Sequence, residues 1–246
     1  MSKKLYDRTL EYLEKKERIL FITTSNRWSE ELPKSTQLAK SLREEIGREK
    51  VEIIDAFKLH IVPCEGNVST KEGGNHCGSR GSELKDSRKN PSGHHRCWAN
   101  INSPEDELWK ISRELLESDA VVFFGSIRWG KVNATYAKLI ERLTWLENRH
   151  TALGESNLVK NIDAGVIALG HNFNVARAVE LEKENLTFFG FKVPSELSWG
   201  WQWSKNSSDE GLRGYKEDIK DFSNEFSLDE HIEECVKRFG DFIKKG

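Results

Sequence analysis

Short continuous apolar runs alternate along this chain with longer stretches of three- and four-residue periodicity. Arg18–Thr24 (RILFITT), Val51–Ala56 (VEIIDA), Val121–Gly125 (VVFFG) and Ala164–Leu169 are the runs, each with the look of a strand covered on both faces. Between the first two lies Ser35–Ile46, with Leu38, Leu42 and Ile46 on one helical face and Pro33 just ahead, where proline is tolerated. Ser103-Pro104-Glu105-Asp106 supplies an N-cap, a first-turn proline and acids, and predicts a helix carrying Leu108, Trp109, Ile111, Leu115 and Leu116. Tyr136, Leu139, Ile140 and Leu143 mark a helix after the third run. A helix over 175–189 stops at Gly190, and Phe191–Val193 reads as a short fifth strand. Residues 1–16 add a charged helix in front. Residues 229–245 close with Ile232, Cys235, Val236, Phe239, Phe242 and Ile243 in helical register.

The resulting β-α-β-(insert)-α-β-α-β-α-β-α alternation predicts one α/β domain over 1–246, a doubly wound parallel sheet of five strands in the order 2-1-3-4-5. A long insert, 57–102, follows the second strand, and 196–228 is irregular and rich in tryptophan. On this map the loops after the first and third strands converge on one crevice at the carboxyl edge of the sheet, the place where open α/β sheets bind ligands.

Charge narrows the function classes. The 38 basic and 40 acidic side chains leave a net charge of -2, so no global field favours nucleic acid or an anionic membrane. No run approaches the ~18 apolar residues of a membrane span, and the opening residues lack the apolar core of a signal peptide. The expectation is a cytoplasmic protein without membrane insertion. Four cysteines are too few to staple a chain of this length and read as reduced thiols or metal ligands.

Two ligand chemistries compete for the loop after the third strand. Gly125–Lys131 spells G-x-x-x-x-G-K between a strand and a helix, most of a P-loop, but Val132 stands where a magnesium-binding hydroxyl belongs. In the other reading, Trp129 and the backbone of Ser126, Ile127, Arg128 and Gly130 lie against a flat aromatic ring, with Asn133 at the helix start. In the first loop, Ser25, Arg27, Ser35, Thr36 and Gln37 place hydroxyls and a cation at a helix N-terminus, suited to a phosphate monoester.

These residues resemble the flavodoxin-like NAD(P)H-dependent FMN reductase and quinone reductase family. Thr24-Ser25-Asn26-Arg27 is similar to its Gly-Ser-x-Arg opening, and Ser35-Thr36-Gln37-Leu38-Ala39 to its Ser-x-Asn-x-Ala. Phe124-Gly125-Ser126, Trp129-Gly130, Ala134 and Ile140-Glu141-Arg142 resemble the third-strand motif, less one proline. Gly170-His171-Asn172 resembles the second ring-flanking loop. The resemblance implies a flavodoxin-like fold, FMN as cofactor, NAD(P)H as co-substrate, and hydride transfer to a quinone-like or other small acceptor. It also implies a homodimer or homotetramer. No side chain is assigned as a catalytic acid or base, because the flavin carries the redox step. A non-enzymatic flavin carrier and the P-loop nucleotide-binding protein stand as alternatives.

The insert carries Cys64, Cys77 and Cys97 together with His76, His94 and His95. Ile61-Val62-Pro63-Cys64 resembles the start of the cysteine segment in related iron–sulfur flavoproteins, without its compact spacing. A Cys₃His zinc site or an iron–sulfur centre on Cys64, Cys77, Cys97, His76 or His95 is one reading. The other is a loop across the crevice or a subunit interface, its thiols buried as small apolar groups. Trp199, Trp201 and Trp203 share one face of an extended strand; they wall the acceptor site, meet a second subunit, or pack on the domain's own core.

Overall fold

The computed structural model describes residues 2–27, 31–66, 76–170 and 174–202. His171, Asn172, Trp203 and the helix expected over 229–245 therefore lie outside the described residues. Six strands form the sheet: β1 (Ile19–Thr23), β2 (Val51–Asp55), β3 (Ala120–Arg128), β4 (Lys131–Val132), β5 (Asp163–Gly170) and β6 (Trp199–Gln202). The helices are α1 (Ser2–Leu13), α2 (Lys34–Ile46), α3 (Trp98–Asn102), α4 (Leu108–Leu116), α5 (Ala134–Thr151) and α6 (Val175–Phe188).

The apolar runs become strands because both faces are covered. On one face Leu20, Ile22, Val121, Phe123, Ala164, Val166 and Ala168 pack against α4, α5 and α6. On the other, Ile19, Phe21, Val122, Phe124, Ile167 and Leu169 pack against α1 and α2. Successive side chains thus go to opposite cores, the period-two rule applied to a sheet with two dry sides. Each such fully buried Leu, Ile or Phe is worth about 1.5–3 kcal/mol of transfer free energy.

The order is β2-β1-β3-β5-β6, parallel throughout, with β4 pairing antiparallel to β3 off this path. This is the expected open parallel α/β architecture, consistent with a flavodoxin-like fold; the expected 2-1-3-4-5 order differs in two details. The expected loop over 125–133 is a hairpin: β3 runs on to Arg128 and β4 returns. The last strand is Trp199–Gln202 rather than Phe191–Val193. Lys192 makes only a single bridge to Asp163, after which Pro194 and a 3₁₀ turn carry the chain along the same edge of β5. Gly165 permits that passage, since a Cβ there would lie 2.0 Å from the Leu197 carbonyl oxygen.

Trp199 and Trp201 are buried in the core beneath α1, and Trp199 Nε1 donates to Thr9 Oγ1 at 2.9 Å. Of the three settings open to this aromatic strand, Trp199 and Trp201 take the domain's own core, on the strand that ends the sheet order. The helix expected from Ser103 begins instead at Leu108. Asp106 Oδ1 accepts from Leu108 N at 3.0 Å while the same carboxylate is drawn onto Arg142, which holds 103–106 in a turn.

Candidate functional site at the carboxyl edge of the sheet

The crevice is built on three loops tied by two asparagines. At the end of β1, Thr24 N still donates to Phe124 O (2.9 Å) and Thr24 Oγ1 donates to the same carbonyl (3.1 Å). Asn133 then bridges. Its Oδ1 caps α5 by accepting from Tyr136 N at 3.2 Å, and its Nδ2 donates to Thr24 Oγ1 at 3.0 Å and to Ser126 Oγ at 3.5 Å. Asn174, in the left-handed region at φ 62°, spends its Nδ2 on Gly130 O at 2.8 Å and so pins the hairpin tip to the start of α6. The sequence signal for Asn174 is only an asparagine at a helix start, the residue type that tolerates αL.

The N-terminus of α2 faces this crevice without a side-chain cap. Pro33 holds the N-cap position, no acid lies in the first turn, and the helix runs thirteen residues. Ser35 Oγ donates to Ser25 Oγ at 2.8 Å with both residues buried, and the buried Thr36 Oγ1 has no hydrogen-bond partner. Lys34 is pushed below its ordinary lysine range by partial burial. Gln37 Nε2 turns back to Leu32 O at 2.8 Å, and Arg27 pairs with Glu31 at 2.8 Å. Of the five residues expected in this loop, Ser25, Ser35 and Thr36 thus form one hydroxyl cluster, while Gln37 and Arg27 brace the loop.

On the opposite side, β3 and β4 turn at Trp129 (φ 50°) and Gly130 (φ 70°), the pair of positive φ angles of a tight hairpin turn. A tryptophan in that conformation is strained, and its side chain stands 92% exposed. Gly125 is required beneath the hairpin, because a Cβ would meet Val132 Cγ1 at 2.6 Å. Ile127 points into the core, Arg128 is exposed, and Ser126 is half-buried beside Asn133. Gly170 closes the floor at the end of β5, a Cβ there meeting Val175 Cγ2 at 2.3 Å. The P-loop reading fails on this geometry. Gly125–Arg128 is extended strand paired with β5 and β4, so its amides cannot wrap a phosphate, and Lys131 lies exposed in β4.

The insert is anchored elsewhere. Arg142 and Asp106 form a fully buried ion pair (2.6 and 3.0 Å), and Arg142 also donates to Val62 O at 2.6 Å and Cys97 Sγ at 3.4 Å. Burial opposes the Arg142 charge, and Asp106 more than offsets it, leaving the guanidinium above its ordinary range. Farther along α5, Arg96 and Arg149 share Glu155, which they hold below the usual carboxylate range against its desolvation. At ~1.5 Å per residue, Arg142 lies about 12 Å from the crevice end of α5. These anchors thus hold the insert against α5 at a distance from the crevice.

Among the described residues, no group of three His, Cys, Asp or Glu side chains is arranged to hold a metal ion. The zinc or iron–sulfur centre expected on Cys64, Cys77, Cys97, His76 or His95 is therefore not formed by them. The reasons are local. Cys97 is buried against Arg142, and His95 is buried edge-to-face on Trp145 with centroids 5.3 Å apart. Burial pushes His95 down to about 4, opposed in part by the neighbouring Asn100 side chain. Burial, then the nearby Cys97 and Cys64, pushes the Cys77 thiol up to about 12.

No protein-family model matches the chain, and no curated protein matches it. Among solved structures it is similar to RosB with a bound 8-demethyl-8-formylriboflavin-5'-phosphate intermediate, at 17% identity and a TM-score of 0.49. That likeness covers 75% of this chain and 64% of RosB, so the chain spans less than two thirds of that protein. An azoreductase from Bacillus anthracis str. Sterne is similar at 14% identity and a TM-score of 0.47, over 89% of this chain and 97% of the other. A flavone reductase is similar at 15% identity and a TM-score of 0.47, over 85% and 66% respectively.

Proposed function

We propose that the crevice binds FMN and that the protein is a flavin-dependent oxidoreductase, passing hydride from NAD(P)H to a quinone-like or other small acceptor. The observation that carries this reading is the uncapped N-terminus of α2 with Ser25, Ser35 and the partnerless, buried Thr36 hydroxyl around it. Free first-turn amides, a positive dipole end and hydroxyl donors suit a phosphate monoester. An exposed indole across the same crevice suits a flat ring system.

When bound, FMN would supply the two-electron redox chemistry. The chain's residues do the rest. Ser25, Ser35, Thr36 and the α2 amides hold the phosphate. Trp129 and the backbone of Ser126, Ile127, Arg128 and Gly130 would border the ring, with Gly170 and, by the sequence resemblance, His171 and Asn172 flanking it. Asn133 fixes the distance between the phosphate loop and the hairpin, because it bonds to Thr24 and Ser126 at once. No side chain is needed as acid or base. We further propose that the protein acts in the cytoplasm as a homodimer or homotetramer, with its acceptor a small molecule and neither nucleic acid nor membrane as partner.

The test is a visible spectrum of purified protein reconstituted with FMN, recorded before and after anaerobic NADPH and then NADH. A two-banded flavin spectrum that bleaches with a pyridine nucleotide is expected. A bound flavin that stays oxidised would identify an electron carrier. Failure to retain FMN would overturn the reading.

A further inference from the structure

We propose that Cys77 and Cys97 are a redox pair that closes reversibly to a disulfide by exchange with a low-molecular-weight disulfide, at a site separate from the crevice. The two segments that carry them are laced together on both sides of the thiols. His76 O accepts from Trp98 Nε1 at 3.2 Å, and Gly78 O accepts from Arg96 Nη1 at 3.4 Å, so Cys77 lies between two cross-links to the neighbours of Cys97. Cys97 belongs to the apolar core beside α5, and Cys77 packs against the same core. Gly78 is pressed onto α5, a Cβ there falling 2.7 Å from Trp145 O, and Asn148 Nδ2 donates to Cys77 O at 2.6 Å. Two cross-links thus flank the pair, Cys97 is near enough to Cys77 to act on it electrostatically, and both thiols are free.

The chemistry balances with glutathione disulfide as oxidant. The Cys77 thiolate, on the half-buried and reachable side, attacks one sulfur of the reagent. A new S–S bond forms, the reagent's own S–S bond breaks, and the departing glutathione takes up the proton Cys77 lost. Cys97 then attacks the Cys77 sulfur and expels the second glutathione, which takes the proton Cys97 lost. Arg142 Nη2, donating to Cys97 Sγ at 3.4 Å, stabilises the attacking thiolate. Two protein thiols are oxidised and one disulfide is reduced to two thiols. Arg142 keeps Asp106 and Val62 O throughout, so closing the bond leaves the buried anchor in place. Burial that holds the Cys77 proton makes the first step slow at neutral pH and faster as pH rises.

The experiment uses the full, natively folded chain equilibrated with glutathione disulfide, then quenched, denatured and alkylated for peptide mass spectrometry. The expected product is a Cys77 peptide joined to a Cys97 peptide, two hydrogens lighter than their sum and restored by dithiothreitol. The same link is expected in the Cys64→Ser, Cys235→Ser double variant, with far-UV circular dichroism confirming that it folds. Cys97 recovered wholly as alkylated thiol, mixed glutathione adducts without the cross-link, or a link through Cys64 would each overturn the proposal.

Discussion

Asn133 shows how much a single side chain can settle in this fold. One amide caps a helix, holds the loop after β1 through Thr24 and reaches the hairpin through Ser126. Asn133→Ala removes all three contacts, and the cap alone predicts a loss of about 1–2 kcal/mol in urea unfolding. Asn133→Asp keeps an acceptor for Tyr136 N but loses the donor to Thr24. It should hold most of the stability while FMN affinity falls, and a variant that binds as tightly as the parent would show that the latch is idle. His95 supplies a pH test. Its ring is 1% exposed and its pKa is depressed from 6.5 to about 4, so the unfolded chain binds a proton that the folded chain refuses. Stability should therefore decline as pH falls from 6.5 toward 4, by an amount on the order of 3 kcal/mol. His95→Gln should flatten that slope in urea titrations across the window.

At the scale of elements, the strands were legible and their ends were not. Val121–Phe124 announces a buried strand, but the hairpin beyond it is closed by Trp129-Gly130, and tryptophan is a poor signal for a left-handed turn. In the sequence Asp106 looks like a first-turn acid of a helix starting at Ser103, whereas α4 starts at Leu108. The true partner of Asp106, Arg142, sits thirty-six residues away on the buried face of α5. The candidate phosphate loop was readable from its hydroxyls, whereas the insert's anchors depend on tertiary pairing that no local pattern reports. Those anchors can be tested as a unit. Asp106→Ala leaves a buried guanidinium without its carboxylate and should cost about 3–5 kcal/mol. The Arg142→Met, Asp106→Leu double variant, with no stranded charge, should be markedly more stable than Asp106→Ala. Equal losses in equilibrium unfolding would mean that the pair contributes only by filling space.

Across the whole molecule, α1 covers the sheet face over β6, which is why the expected aromatic strand is buried instead of lining a site. Thr9 Oγ1 meets both Glu196 O and Trp199 Nε1 there, and Tyr12 donates to Asp163 at 2.8 Å. Among the described residues no helix is long and apolar enough to cross a membrane. Among the described residues the tryptophans sort by environment: Trp145, Trp199 and Trp201 are shielded, Trp98 and Trp109 are half-buried, and Trp129 stands almost wholly in solvent. That sorting makes the hairpin tip an optical reporter already wired to the crevice. Iodide should quench the Trp129 share of the emission, Trp129→Phe should remove that share, and a flat ligand seated on the indole should hide it from the quencher. Occupancy could then be followed by light alone, with colourless analogues as well as with a flavin.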